Sequence, residues 1–135
     1  MSRMTVLNGN LWFSLLPERA LGDGGYPPYN IELIPATERA LEALRITFAV
    51  AGFRLDDLEV SVEGGALIVS GRQPNEPARD YLHRGIAARR FKRSFALQRG
   101  VEVRKAELHN GLLTVELERP ERQRKVVKVG INATT

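Results

Sequence analysis

The length, composition and charge of the chain describe one modest domain with few reactive groups. Its 135 residues suffice for a single core, and its 0 cysteines exclude a disulfide framework or a thiolate zinc site. The formal charge of +4 is a mild excess that does not by itself indicate a nucleic-acid surface. No apolar run reaches the roughly 20 residues of a membrane helix, and no cleavage site follows the run LWFSLLP, so we expect a soluble cytoplasmic protein.

The first segment, residues 1–26, is predicted to be an N-terminal arm. It holds a small apolar cluster, parts of which recur at a spacing of four and could form a stripe on a short helical turn. Pro17 disfavours helix at the residue before it, and the glycines and prolines that follow predict a flexible joint. The apolar residues of the cluster are Leu11, Trp12, Phe13, Leu15 and Leu16.

The central segment, residues 27–120, is predicted to consist of short strands. Apolar residues recur with a period of two over residues 44–50, 58–62 and 113–117. Gly64-Gly65 and Asn110-Gly111 separate such runs and predict tight hairpin turns. About seven or eight strands with no long periodic helix between them predict an antiparallel β-sandwich of immunoglobulin-like architecture.

Two parts of this segment do not follow simple alternation. YLHRGIA, residues 81–87, is a possible isolated strand after a proline-containing loop. Arg93 lies on the same phase as Phe91, Phe95 and Leu97, where a charge needs a special explanation.

The last segment, residues 121–135, is predicted to be a C-terminal tail. It begins charged and then carries an apolar island at Val126, Val127, Val129 and Ile131, which needs a surface to bury it.

The sequence offers no convincing catalytic motif. A phosphate-binding glycine loop and a nucleophile elbow are both missing. His83 and His109 have no serine or metal-ligand partner at a spacing that would indicate a catalytic pair or a metal site. The pair Asp56 and Asp57 is more typical of a turn cap than of acid–base chemistry. We therefore expect no enzyme, no cofactor and no metal.

Several segments, in a shared order, resemble the small heat-shock proteins. AELHNGLL, residues 106–113, is similar to the A-x-x-x-N-G-x-L signature of their α-crystallin domain. GGYPPYNIEL and FAVAGF resemble the bacterial inclusion-body-binding branch, RRFKRSFALQ the aromatic–basic strand of the family, and VGIN its tail. The resemblance covers roughly residues 26–131 and implies an ATP-independent holdase, a chaperone that binds partly unfolded proteins and limits their aggregation.

The resemblance also implies how the chain assembles. Bacterial members pair by swapping a loop strand, which here would be residues 81–87. Arg93 would then meet a carboxylate at the dimer interface. The alternatives are an ordinary local edge strand, and an Arg93 stem that passes the edge of the sheet. The implied interface residues are Tyr81, Leu82, Ile86, Arg89 and Arg93.

The family's tail carries two branched apolar anchors that dock in a groove of a neighbouring subunit. Val129 and Ile131 fit these positions, although Gly130 between them departs from the pattern. Val127-Lys128-Val129 is a competing register. The candidate groove residues are Leu58, Val60, Val62, Ala106 and Leu108.

The expected partners are unfolded clients and further copies of the chain, with neither nucleic acid nor membrane. The arm cluster from Leu11 to Leu16 is the candidate for client contact, and the alternative is that it packs inside the oligomer. One rival function is a β-sandwich co-chaperone or scaffold that binds one specific partner. Another is a nucleic-acid module using residues 84–93, which lacks an evident stacking platform.

Overall fold

The computed structural model describes residues 12–13, 25–74, 77–86, 89–119 and 128–134, and the described residues form seven strands and one short 3-10 turn. The strands are β1 Tyr29–Ile34, β2 Ala43–Ala49, β3 Leu58–Glu63, β4 Ala66–Arg72, β5 Arg90–Ala96, β6 Glu102–His109 and β7 Leu112–Glu118. The 3-10 turn, Leu55–Asp57, leads into β3. In these ranges no helix has the length and apolar character needed to cross a membrane.

Two antiparallel sheets make up the fold. One has the strand order β1-β2-β7-β6 and the other the order β3-β4-β5. All five strand pairings between described strands are antiparallel. The predicted antiparallel β-sandwich is therefore confirmed, and β3 and β6 each lie at the edge of a sheet.

Both predicted hairpin turns are confirmed. Asn110 and Gly111 have φ angles of 52° and 78°, and they join His109 to its cross-strand partner Leu112. Gly64 and Gly65, with φ of 55° and 80°, do the same between β3 and β4. Positive φ at both central residues matches the right-handed twist of the flanking strands, which fixes the register of each hairpin.

The core lies between the two sheets and follows the predicted alternation. Leu44, Ile46, Phe48 and Val50 are all 0% exposed. Their neighbours on β7 and β4 alternate in the same way, with Val115, Leu117, Leu67 and Val69 also 0% exposed. Each such side chain contributes roughly 1.5–3 kcal/mol by leaving water.

The outer face of the four-stranded sheet carries a row of alternating charges. Arg45 lies 3.5 Å from Glu32 and 3.2 Å from Glu116. Arg104 lies 3.8 Å from Glu116 and 3.9 Å from Glu118. This row makes much of the outer face of the sheet polar, and most of the large exposed apolar side chains lie in the connecting segments and the tail.

Candidate binding surfaces at the edges of the sandwich

The predicted groove residues lie on the inward phases of two of the edge strands, β3 and β6. On β3, Val60 and Val62 pair with the buried Val69 and Leu67 of β4. On β6, Ala106 and Leu108 pair with the buried Val115 and Leu113 of β7. Each set therefore faces the space between the sheets, but at its open margin.

These residues range from half-buried to exposed. Leu58, Val60 and Leu108 are half-buried and pack against the core, whereas Val62 is 51% exposed. Ala106, with its small side chain, is exposed as well. In the described part of the chain β3 and β6 have a strand partner on one side only, so each also presents unpaired backbone groups.

The 3-10 turn adds a residue to this margin that the sequence interpretation did not include. Leu55 is 70% exposed and lines one open depression together with Glu107, Leu108 and His109. The start of β3 and the end of β6 therefore lie side by side. We call the apolar margin formed by Leu55, Leu58, Val60, Val62, Ala106 and Leu108 the edge groove.

The loop between β4 and β5 presents large apolar side chains to solvent. Tyr81 is 44% exposed, Leu82 is 108% exposed and Ile86 is 86% exposed. Residues 81–86 form no strand, so the possible isolated strand is absent from the described part of a single chain. Apolar groups this exposed are typical of a contact with another chain.

Gln73 holds the base of this loop, and sequence reasoning missed it. Its backbone N–H donates to the Arg89 carbonyl at 3.0 Å, and its side-chain oxygen accepts from the Arg89 N–H at 2.8 Å. Its side-chain amide also donates to the Gly52 carbonyl at 2.9 Å. A polar residue at the end of a strand carries no sequence signal for such a role.

The two candidate interface arginines differ in surroundings. Arg93 is 7% exposed and donates from Nη2 to the carbonyls of Gly25 at 2.6 Å and Pro27 at 3.0 Å. Within the described chain Arg93 is paired with these carbonyls and not with the expected carboxylate. These hydrogen bonds explain how a guanidinium can occupy a buried position among apolar residues. Arg89 is exposed, and its guanidinium lies 4.3 Å from the centre of the Tyr26 ring.

Burial raises the pKa of the Tyr26 phenol, and the nearby Arg89 charge opposes that rise. The phenol is therefore neutral at physiological pH. The Tyr26 ring also contacts the rings of Phe53 and Phe91, so the segment before β1 packs against β5.

The two chain ends behave differently. In the tail, Val129 is 80% exposed and Ile131 is 95% exposed, and residues 128–134 form no strand. Near the N-terminus, Trp12 and Phe13 are each 3% exposed and belong to the core cluster. Of the other predicted client-contact residues, Leu11, Leu15 and Leu16 lie outside the described residues, as does Val127 of the competing tail register.

The acidic and histidine side chains considered as catalytic or metal-binding candidates are not grouped into such a site among the described residues. An Asp57 carboxylate oxygen accepts from the Arg54 N–H at 2.9 Å, which is the turn cap expected of this position. His83 and His109 are exposed. Among the described residues, no three His, Asp or Glu side chains are grouped as metal ligands.

The architecture defines an antiparallel β-sandwich domain, with an open apolar edge on each sheet and apolar segments outside the core. The chain belongs to the Hsp20/alpha crystallin family, whose model matches residues 37–132. It is 44% identical over 110 residues to the small heat shock protein IbpA of Serratia proteamaculans, a match that covers 81% of this chain and 77% of the relative. It is 47% identical over 98 residues to the IbpA of Yersinia pestis, covering 72% of this chain and 68% of that protein.

Solved structures agree with this assignment. A C-terminally truncated small heat shock protein AgsA from Salmonella typhimurium superposes with a TM-score of 0.61 at 29% identity, covering 78% of this chain and 98% of that one. The small heat shock protein of Synechococcus phage S-ShM2 gives a TM-score of 0.56 at 33% identity, covering 77% and 99%. The family and these relatives identify the protein as an ATP-independent molecular chaperone.

Proposed function

We propose that the chain binds partly unfolded proteins in the bacterial cytoplasm as an oligomer built from swapped dimers. The observation that carries this proposal is the exposure of large apolar side chains outside a fully packed core. Leu82, Ile86 and Ile131 are between 86% and 108% exposed, while Ile46 is 0% exposed. Partly unfolded proteins present the complementary features, namely apolar side chains and open strand edges.

Dimer formation through the predicted swap element, residues 81–87, is supported by the base of the β4–β5 loop. Gln73 and Arg89 fasten both ends of the loop to the sandwich, while Tyr81, Leu82 and Ile86 project outward. A fastened base with an apolar tip suits an arm that pairs with a second copy. Arg89 lies at the root of this arm and is the charged residue we assign to the interface, whereas Arg93 donates to the carbonyls of Gly25 and Pro27 within the same chain.

Docking of the tail into the edge groove of a neighbouring subunit is supported by complementary chemistry. Val129 and Ile131 are exposed branched side chains two residues apart, and Val60 and Leu108 offer half-buried apolar surface at an open edge. Burying two such anchors yields about 3–6 kcal/mol, less the cost of ordering the tail. Contacts this weak exchange readily, yet many linked contacts hold an assembly together.

Client contact is assigned to apolar surface that these exchanging contacts uncover. The edge groove becomes free when a tail leaves it, and the arm cluster from Leu11 to Leu16 adds further apolar groups. Trp12 and Phe13 are buried, so they can contact a client only after leaving the core.

The proposal is tested by heating an aggregation-prone enzyme without nucleotide and following light scattering. We expect equimolar subunits of this protein to suppress most of the scattering, and the double variant Leu82→Ser with Ile86→Ser to suppress much less. Leu41→Ser is the matched control, because Leu41 is 53% exposed but lies outside the proposed contact segments.

Two outcomes separate the proposal from its rival. Undiminished scattering with the unaltered protein would overturn the proposed function. A monodisperse monomer that suppresses nothing would favour a module dedicated to one specific partner.

A further inference from the structure

One end of the sandwich is closed by two residues from near the N-terminus. Phe13 forms an isolated antiparallel bridge with Leu97, just beyond β5. The Gln98 N–H donates to the Trp12 carbonyl at 3.0 Å. Both aromatic side chains are 3% exposed, so this short attachment buries two of the largest apolar groups in the chain.

The surface that receives them is apolar with a cation at its rim. The Phe13 ring lies 5.8 Å from the Phe95 ring, and Leu97 and Val101 belong to the same buried cluster. The Arg119 guanidinium carbon lies 5.2 Å from the centre of the Trp12 ring. We call the surface formed by Phe95, Leu97, Val101 and Arg119 the aromatic slot.

The described contacts of the aromatic slot with its occupant are a backbone hydrogen bond, a contact between rings and a cation–π contact. The aromatic slot offers a backbone donor to an extended segment, an apolar wall for one ring and a guanidinium for the next ring. An extended chain with two adjacent aromatic residues presents the groups that these contacts use. The fit of the present occupant is incomplete, because Trp12 Nε1 is buried with no hydrogen-bond partner among the described atoms.

We propose that the aromatic slot is a client-binding site and that Trp12 and Phe13 are its exchangeable internal occupant. Heating releases this pair, and an extended client segment with adjacent aromatic residues takes its place. The inference rests on the proposed function, since a partly unfolded protein supplies that segment. It differs from tail docking because it uses the end of β5 and not the edge groove.

Release can be followed directly, because Trp12 is the only tryptophan in the chain. The full chain is heated while tryptophan emission, acrylamide quenching and far-UV circular dichroism are recorded together. We expect the emission to shift to the red and quenching to rise while the strand signal is still intact. Emission that changes only with the loss of strand signal would overturn the inference.

Binding is tested with a fluorescein-labelled peptide of residues 8–17, using anisotropy. The double variant Trp12→Ser with Phe13→Ser lacks the internal occupant, so we expect it to bind the peptide about tenfold or more tightly than the unaltered chain. A peptide with serine at both aromatic positions is the ligand control, and Leu112→Ser is the protein control. Equal affinity of the double variant and the unaltered chain would overturn the inference.

Two further results complete the design. If the double variant loses its strand signal, the emission experiment on the unaltered chain decides alone. If the protein suppresses enzyme aggregation but does not bind the peptide, the client-binding role of the aromatic slot is overturned and the proposed function stands. If it fails to suppress aggregation, the proposed function itself is overturned.

Discussion

Ile46 and Ile131 are the same kind of side chain in opposite surroundings. Ile46 lies in β2, between two sheets, and is 0% exposed. Ile131 lies in the tail and is 95% exposed. The first stabilises the folded chain by its burial, and the second has no comparable burial to lose.

The comparison extends to whole regions. In the sandwich, apolar residues are sorted inward by alternation, and the outer face of the four-stranded sheet carries the charge row from Glu32 to Glu118. In the β4–β5 loop and the tail, apolar residues are left outside. The core therefore sets the stability of the subunit. We propose that these outer segments set what the subunit binds, and substitutions should separate the two properties.

The largest expected effect is the loss of core packing. Ile46→Ala should lower the free energy of unfolding by about 2–5 kcal/mol, because it removes buried methyl groups and leaves a cavity. Urea unfolding at a subunit concentration low enough to dissociate larger assemblies measures it. Ile131→Ala is the matched control and should change the same quantity by less than about 0.5 kcal/mol. Equal losses in the two variants would contradict the separation.

A smaller effect is expected at the buried arginine. Arg93→Met keeps much of the apolar stem but leaves the carbonyls of Gly25 and Pro27 without their donor. We expect the free energy of unfolding to fall by about 1–3 kcal/mol, again by urea unfolding. Lys92→Met, at the exposed neighbouring position on β5, should change it little. A neutral Arg93→Met would show that these bonds do not stabilise the fold.

The smallest effect on subunit stability is expected in the tail. Val129→Ser with Ile131→Ser should leave the unfolding free energy within about 0.5 kcal/mol, because both side chains are exposed in the subunit. The same variant should form much smaller assemblies in light scattering. The control Lys128→Ser keeps both anchors and should keep the mass. An unchanged mass in the double variant would remove tail docking from the proposal.

Much of the fold could be predicted because each strand carries its own signal. Leu44, Ile46 and Phe48 show the period of two, and Asn110-Gly111 specifies a turn whose φ angles few other pairs adopt. These are local properties of the chain. Which strands share a sheet is a non-local property, and alternation did not predict the pairing of β2 with β7 that the structure shows.

The binding surfaces were less predictable. Alternation identified Val60 and Leu108 as apolar positions of their strands. It could not show that Leu55 lies beside Leu108, since a residue in a 3-10 turn follows neither the strand period nor the α-helix period. Nor could it find the burial of Trp12 and Phe13, because an isolated bridge to Leu97 leaves no repeat in the sequence. Both features depend on segments that meet only after folding.

The order of the strands has a consequence for recovery from heat. Four of the five pairings join strands that are neighbours in the sequence, and only β2 with β7 joins distant ones. Hairpin pairings close over short stretches of chain with little loss of entropy, whereas the pairing of β2 with β7 closes a long stretch and is slower to form. After a temperature pulse we therefore expect the hairpins to reform first and the pairing of β2 with β7 to be the slow step in regaining the sandwich.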